Sequence, residues 1–127
     1  MTLTRLGGVL AAVALSFVAT GFASASTACS SLTLTIASPE GPATTVALTC
    51  DPAGGSHPDP KTACAELRAV AGDFDELAGE QTTACTMEYR PVIANADGTW
   101  HGRPVYWEAR FSNHCTMTSA TGTVFRF

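Results

Sequence analysis

Apolar and polar residues alternate over two stretches near the start of the chain. From Ser31 to Ala37, Leu32, Leu34 and Ile36 fall on one side and Thr33 and Thr35 on the other. That is the period-two pattern of a half-buried strand. Ser38-Pro39-Glu40-Gly41-Pro42 interrupts it with turn residues. Alternation resumes from Thr44 to Cys50 through Val46 and Leu48, so the two stretches predict an antiparallel hairpin. Asp51 to Pro60 holds three prolines and two glycines with almost nothing apolar, and predicts a loop. Asp59 as N-cap and Pro60 in the first turn then predict a helix over 61–71. Cys64, Leu67, Val70 and Ala71 lie along one face of it, and Gly72 ends it. Asp73 and Glu76 match a capping box for a second, short helix, with Phe74 and Leu77 as its apolar residues and Gly79 closing it.

The second half of the chain reads mainly as strands. Pro91 to Ala94 predicts one strand, Asn95-Ala96-Asp97-Gly98 a turn, and Thr99 to Arg103 the returning strand. Val105, Trp107, Ala109 and Phe111 alternate with Tyr106, Glu108 and Arg110, and Thr123 to Phe127 predicts a last strand. Strands, then helices, then strands point to an α+β domain with helices on one face of an antiparallel sheet. Trp100, Tyr106, Trp107, Phe111, Phe125 and Phe127 are expected in the sheet core or on a face between two copies. The competing reading of these aromatics is a carbohydrate-binding strip.

The amino terminus changes the picture. Arg5 precedes an uncharged apolar run from Val9 to Ala19, and Ala23-Ser24-Ala25 follows with small residues where a signal peptidase reads. Residues 1–25 therefore predict a secretory signal peptide, too short in its apolar run to span a bilayer. Residues 26–127 remain as one small exported domain. The whole chain carries a formal net charge of −4, and loss of Arg5 makes it one more negative. An acidic domain without a basic run is a poor nucleic-acid binder.

Five cysteines in an exported chain of this size read as disulfides before metal ligands. Cys50, Cys64, Cys85 and Cys115 permit three pairings, and spacing does not choose among them. Joining Cys50 to Cys64 would close a loop of about 15 residues, worth roughly 3 kcal/mol on a chain-entropy argument, and would leave Cys85 to Cys115. Cys29 is left over near the mature start. It is free, bridges two chains, or carries a lipid, although Ser26-Thr27-Ala28 lacks the large aliphatic residue usual before a lipidated cysteine. Lipidation is the one route by which this chain would be expected at a membrane.

The stretch from Thr82 to Pro91 carries the candidate chemistry. Met87 stands two residues past Cys85, with Pro91 beyond. A crosslink at Cys85 and the fixed ring of Pro91 would hold the segment extended and anchored at both ends. Such a segment loses little ordering entropy on binding. A pinned, exposed Met suits the pocket of a protease that prefers large apolar residues. The plain alternative makes Met87 and Tyr89 the buried face of an ordinary strand. Evidence for an enzyme is thin: His57, His101 and His114 accompany no nucleophile-elbow pattern and no metal-ligand spacing. His57 is expected to face solvent from its Pro/Gly loop, and the other two to be surface histidines. No cofactor, no metal site and no catalysis are expected.

Taken in order, the residues resemble the Streptomyces subtilisin inhibitor-like family of secreted serine protease inhibitors. The resemblance rests on Val46-Ala47-Leu48-Thr49-Cys50 with Gly55-Ser56-His57-Pro58, on Ala63-Cys64-Ala65-Glu66-Leu67 followed by Gly72-Asp73-Phe74, and on Cys85-Thr86-Met87-Glu88-Tyr89-Arg90-Pro91. Asp97-Gly98-Thr99-Trp100-His101-Gly102-Arg103, Phe111-Ser112-Asn113-His114-Cys115 and Val124-Phe125-Arg126-Phe127 complete it. It implies a five-stranded antiparallel sheet with two helices on one face, and disulfides Cys50–Cys64 and Cys85–Cys115. It implies a substrate-like inhibitor with Met87–Glu88 as the reactive bond. Ala84, Cys85, Thr86, Tyr89 and Arg90 would then contact the protease, and Pro91 and Asn113 would support the loop. The implied partner is an extracellular serine protease, subtilisin-like or chymotrypsin-like because of Met87, and the implied assembly is a homodimer formed through the sheets. Two residues depart from the family pattern: Thr86 stands where proline is frequent, and Glu88 where a small or aliphatic residue is usual. They motivate the alternative of a secreted binding module that keeps the fold and has lost inhibition.

Overall fold

The computed structural model describes residues 28–79 and 84–127, together with Gly8 and Gly21. Apart from those two glycines, the predicted leader over 1–25 lies outside the described residues, as do Thr82 and Thr83. The hairpin is present as β1 (Ser30–Ser38) and β2 (Gly41–Cys50), both longer at their ends than the alternation alone indicates. β3 (Val92–Trp100) and β4 (Arg103–Phe111) form a second hairpin, and β1 pairs with β3 to join the two. The result is a four-stranded antiparallel sheet in the order β2-β1-β3-β4. The expected fifth strand is absent among the described residues.

Register sets Leu32 opposite Leu48 on one flank and Leu34 and Ile36 opposite Ala96 and Ala94 on the other, all on one buried face. Two helices cover that face, the number expected, but the second is not the one predicted to start at Asp73. α1 (Pro60–Ala69) contributes Ala63, Cys64 and Leu67 to the core, and α2 (His114–Thr121) contributes Met117. Asp59 caps α1 by accepting the Thr62 amide at 3.2 Å, and hydrogen bonding from the Thr62 side chain, then from its amide, holds the carboxyl below the ordinary aspartate value. Asp73 caps only a three-residue 3₁₀ turn, Phe74–Glu76, through the Asp75 amide rather than through a capping box with Glu76.

Three further expectations from the sequence need correction. Asn95-Ala96-Asp97-Gly98 is not a turn but lies inside β3, where Asn95 and Asp97 occupy the polar face. Gly98 is needed there because its φ is +141° and a Cβ would collide with the Ser31 carbonyl across the strand. The chain reverses instead at His101 and Gly102, with φ of 45° and 79°, the doubly positive pair that a two-residue hairpin favours. Thr123 to Phe127 is not a strand: Gly122–Phe125 forms a 3₁₀ turn with Val124 and Phe125 both buried. Adjacent burial is incompatible with a half-buried strand, and the Glu66 carboxylate of α1 fixes the turn by accepting the Thr123 amide at 2.8 Å. His57 is not solvent-facing but 4% exposed. Its Nδ1 accepts the Asp59 amide at 3.0 Å, so its Nε2 donates to the Val124 carbonyl at 3.0 Å, and the ring packs edge-on to Phe127.

Candidate functional site

Residues 84–91 form no helix or strand, yet they are tied to the body at successive points. Cys85 is bridged to Cys115 in the first turn of α2, with Cα atoms 5.7 Å apart. Arg90 donates its amide to the Ser112 carbonyl at 2.8 Å. Between them Asn113 donates Nδ2 to the Thr86 carbonyl at 3.1 Å and to the Glu88 carbonyl at 2.9 Å. One amide group therefore holds the carbonyls on both sides of Met87. Pro91 follows, and β3 begins at Val92.

The direction of Asn113 is itself determined. Its Oδ1 accepts the Thr116 amide at 2.8 Å while Thr116 Oγ1 accepts the Asn113 amide at 3.2 Å, a reciprocal capping box at the start of α2. With Oδ1 engaged by the helix, only the NH₂ faces the loop. Asn113 is 7% exposed, so these bonds are made in a largely water-free setting. Nothing in the local sequence marks Ser112 or Thr116 as a support of the loop. The available signal was Asn113 followed three residues later by a hydroxyl, which announces a helix start. Thr and Ser between His114 and Thr121, with little apolar period, concealed the helix itself.

Met87 lies outside every strap and its side chain is 100% exposed, with Tyr89 at 72%. The reading that buries these two on an ordinary strand is therefore excluded. Ala84, Thr86, Glu88 and Arg90 are exposed as well, whereas Cys85 and Pro91 are half-buried. Glu88 and Arg90 form an ion pair, Oε1 to Nε at 2.9 Å. The structure thus brings together all the residues expected of the loop and its support. The second bridge, Cys50–Cys64, lies in the core and joins the end of β2 to α1. Cys29 is free and exposed, its amide donating to the Asp51 carbonyl at 3.3 Å.

The histidines do not converge on the loop as a catalytic set. His57 is in the core, His101 sits in the β3–β4 turn with Nε2 3.5 Å from Asp51 Oδ2, and His114 opens α2. Among the described residues, no cluster of three or more potential metal ligands occurs and no helix is long and apolar enough to cross a membrane.

A solvent-projected Met between two carbonyls held by one buried amide is a backbone offered for binding with its geometry already set. Known proteins are similar to this chain in sequence over most of its length. Residues 19–113 match the family described as Subtilisin inhibitor-like. Subtilisin inhibitor-like protein 7 of Streptomyces ambofaciens is 44% identical over 104 residues, spanning 77% of this chain and 95% of that protein. A subtilase-type protease inhibitor of Streptomyces coelicolor is 43% identical over 133 aligned positions, spanning 100% of this chain and 92% of the relative. Among solved structures, Streptomyces caespitosus sermetstatin, crystallised in complex with Bacillus licheniformis subtilisin, superposes with a TM-score of 0.64 at 33% identity. That likeness covers 77% of this chain and 98% of sermetstatin. The chain belongs to the subtilisin inhibitor-like family of protease inhibitors.

Proposed function

We propose that this protein is a secreted inhibitor of serine proteases that acts as a tightly held, slowly cleaved substrate, with Met87–Glu88 as the bond presented. The observation that carries this reading is the pair of hydrogen bonds from Asn113 to the carbonyls flanking Met87. Met87 enters the primary specificity pocket, and the protease's serine and oxyanion hole engage its carbonyl as they would a substrate's. Attack releases an amine at Glu88. Asn113 holds the Glu88 carbonyl, Ser112 holds the Arg90 amide, and the Cys85 bridge holds the other side, so the two ends stay together. Re-formation of the bond then competes with hydrolysis, by the proximity effect that accelerates intramolecular reactions. Asn113 supplies stiffness that Thr86 lacks relative to a proline at that position. Ala84, Cys85, Thr86, Tyr89 and Arg90 form the rest of the contact surface, with Pro91 and Asn113 as its support.

Met87 favours subtilisin-like or chymotrypsin-like enzymes over those that require Lys or Arg. Export with removal of residues 1–25 and assembly as a homodimer through the sheets complete the proposal. Intact mass of the protein recovered from a secreting host reads the leader's removal and the state of Cys29 together. The decisive experiment titrates subtilisin with the oxidised mature protein. One molecule of inhibitor is expected to silence one active site, and Met87→Lys to move preference toward trypsin with an unchanged melting temperature. Rapid cleavage after Met87 without inhibition would instead identify a binding module that has lost the activity.

A further inference from the structure

Side chains of an extended segment point alternately to opposite sides. In this loop the alternation sorts apolar surface from charge. Met87 and Tyr89 face solvent, whereas Thr86, Glu88 and Arg90 line a cleft of about 270 Å³ shared with Ser38 at the end of β1 and Glu40 of the β1–β2 turn. There Arg90 Nε lies 2.9 Å from Glu88 Oε1. Glu88 is therefore folded back along its own loop, although its backbone immediately follows Met87. Glu40 brings a second carboxylate to the same cleft, and His114 also borders it.

We propose that Arg90 is a positioning residue for specificity: it retains the Glu88 carboxylate in the cleft, so that the segment after Met87 presents no loose negative charge to the protease. The inference rests on Met87–Glu88 being the bond presented. A lone carboxylate beside that bond must shed water as the protease covers it, at a cost that a charge-assisted hydrogen bond largely offsets. Both side chains are more than half exposed in the free protein, at 59% and 67%, so the pair there is weak. Its influence grows when the enzyme covers the loop and lowers the local dielectric. Glu88 and Arg90 act on this view as one unit and not as two separate contacts.

The test is a double-mutant cycle in the oxidised full domain, read as affinity for subtilisin. Arg90→Gln is expected to weaken binding roughly tenfold, Glu88→Gln to stay within about threefold of the parent, and the double variant to return within about threefold. Arg90→Lys should retain most of the affinity. Unchanged melting temperatures for all four variants would show that folding is not involved. If Arg90→Gln costs the same with Glu88 as with Gln at 88, Arg90 acts through its own contact with the protease and not through Glu88, and the proposal is wrong. No loss at all in Arg90→Gln also overturns it, since the carboxylate then needs no partner. A parent protein that fails to inhibit removes the Met87–Glu88 reading itself, whereas an inhibiting parent with additive variants removes this inference alone.

Discussion

Asn113 uses its side chain in two directions at once. Oδ1 closes the capping box of α2, and Nδ2 spans the carbonyls of Thr86 and Glu88. Two substitutions separate these roles. Asp remains a good N-cap but puts a second carboxylate oxygen against two carbonyls, so Asn113→Asp should free the loop while sparing the helix. Two bonds of about 1 kcal/mol each correspond to roughly thirtyfold weaker inhibition and faster cleavage after Met87. Asn113→Ala loses the cap as well, and should lower stability by about a further 1 kcal/mol. Inhibition constants, cleavage rates and denaturant melts of the two variants check both points. Equal inhibition by Asn113→Asp and the parent would show that the straddling amide is not what keeps the loop from being cut. The contrast with His57 is instructive: both residues are buried and fully bonded, but His57 ties the core and Asn113 ties the loop.

Among the elements, the two bridges have different tasks. Cys50–Cys64 links β2 to α1 within the core, and Cys85–Cys115 links the loop to α2. Their sequence separations are 14 and 30 residues. On a chain-entropy argument each contributes roughly 3–4 kcal/mol of stability. Replacing either pair by alanines should therefore lower stability by similar amounts in denaturant unfolding. Inhibition should divide them: where both variants remain folded, loss of Cys85–Cys115 abolishes it and loss of Cys50–Cys64 leaves it. Equal retention of inhibition would mean that Asn113 and Ser112 suffice to hold the loop. The same element-level view accounts for α2, a helix of Thr and Ser that would be marginal alone. It is held by its cap, by the bridge and by Met117 in the core.

For the whole molecule, the sheet buries one face under two helices and leaves the other uncovered among the described residues. That open face carries Thr33, Thr35, Asn95, Asp97, Tyr106 and Glu108, with Tyr106 79% exposed. If two copies meet there, Tyr106→Glu would set a third carboxylate beside Asp97, its register partner, and Glu108. Dissociation in sedimentation equilibrium should then rise at least about tenfold, with subtilisin inhibition by each domain unchanged. A parent protein that sediments as a monomer at all concentrations would dispose of the dimer. The uncovered face and the loop involve different residues, so assembly and inhibition are expected to vary independently.

The period-two runs of β1, β2 and β4 and the Asp59-Pro60 start of α1 were legible in the sequence because neighbouring residues alone decide them. Val92, Ala94, Ala96 and Trp100 keep the same period, but Asn95 and the Asp97-Gly98 pair masked it, since a glycine that admits a crossing strand looks like one that makes a turn. Met87 between Cys85 and Pro91 marked the loop for the same local reason. What tertiary structure alone decided is how distant groups meet: Glu66 curling the last residues into a turn, Val124 drawing His57 inside, and Asn113 reaching both sides of Met87. A local pattern carries propensity and burial, whereas a hydrogen bond between residues some 25 or more positions apart exists only once the chain has folded.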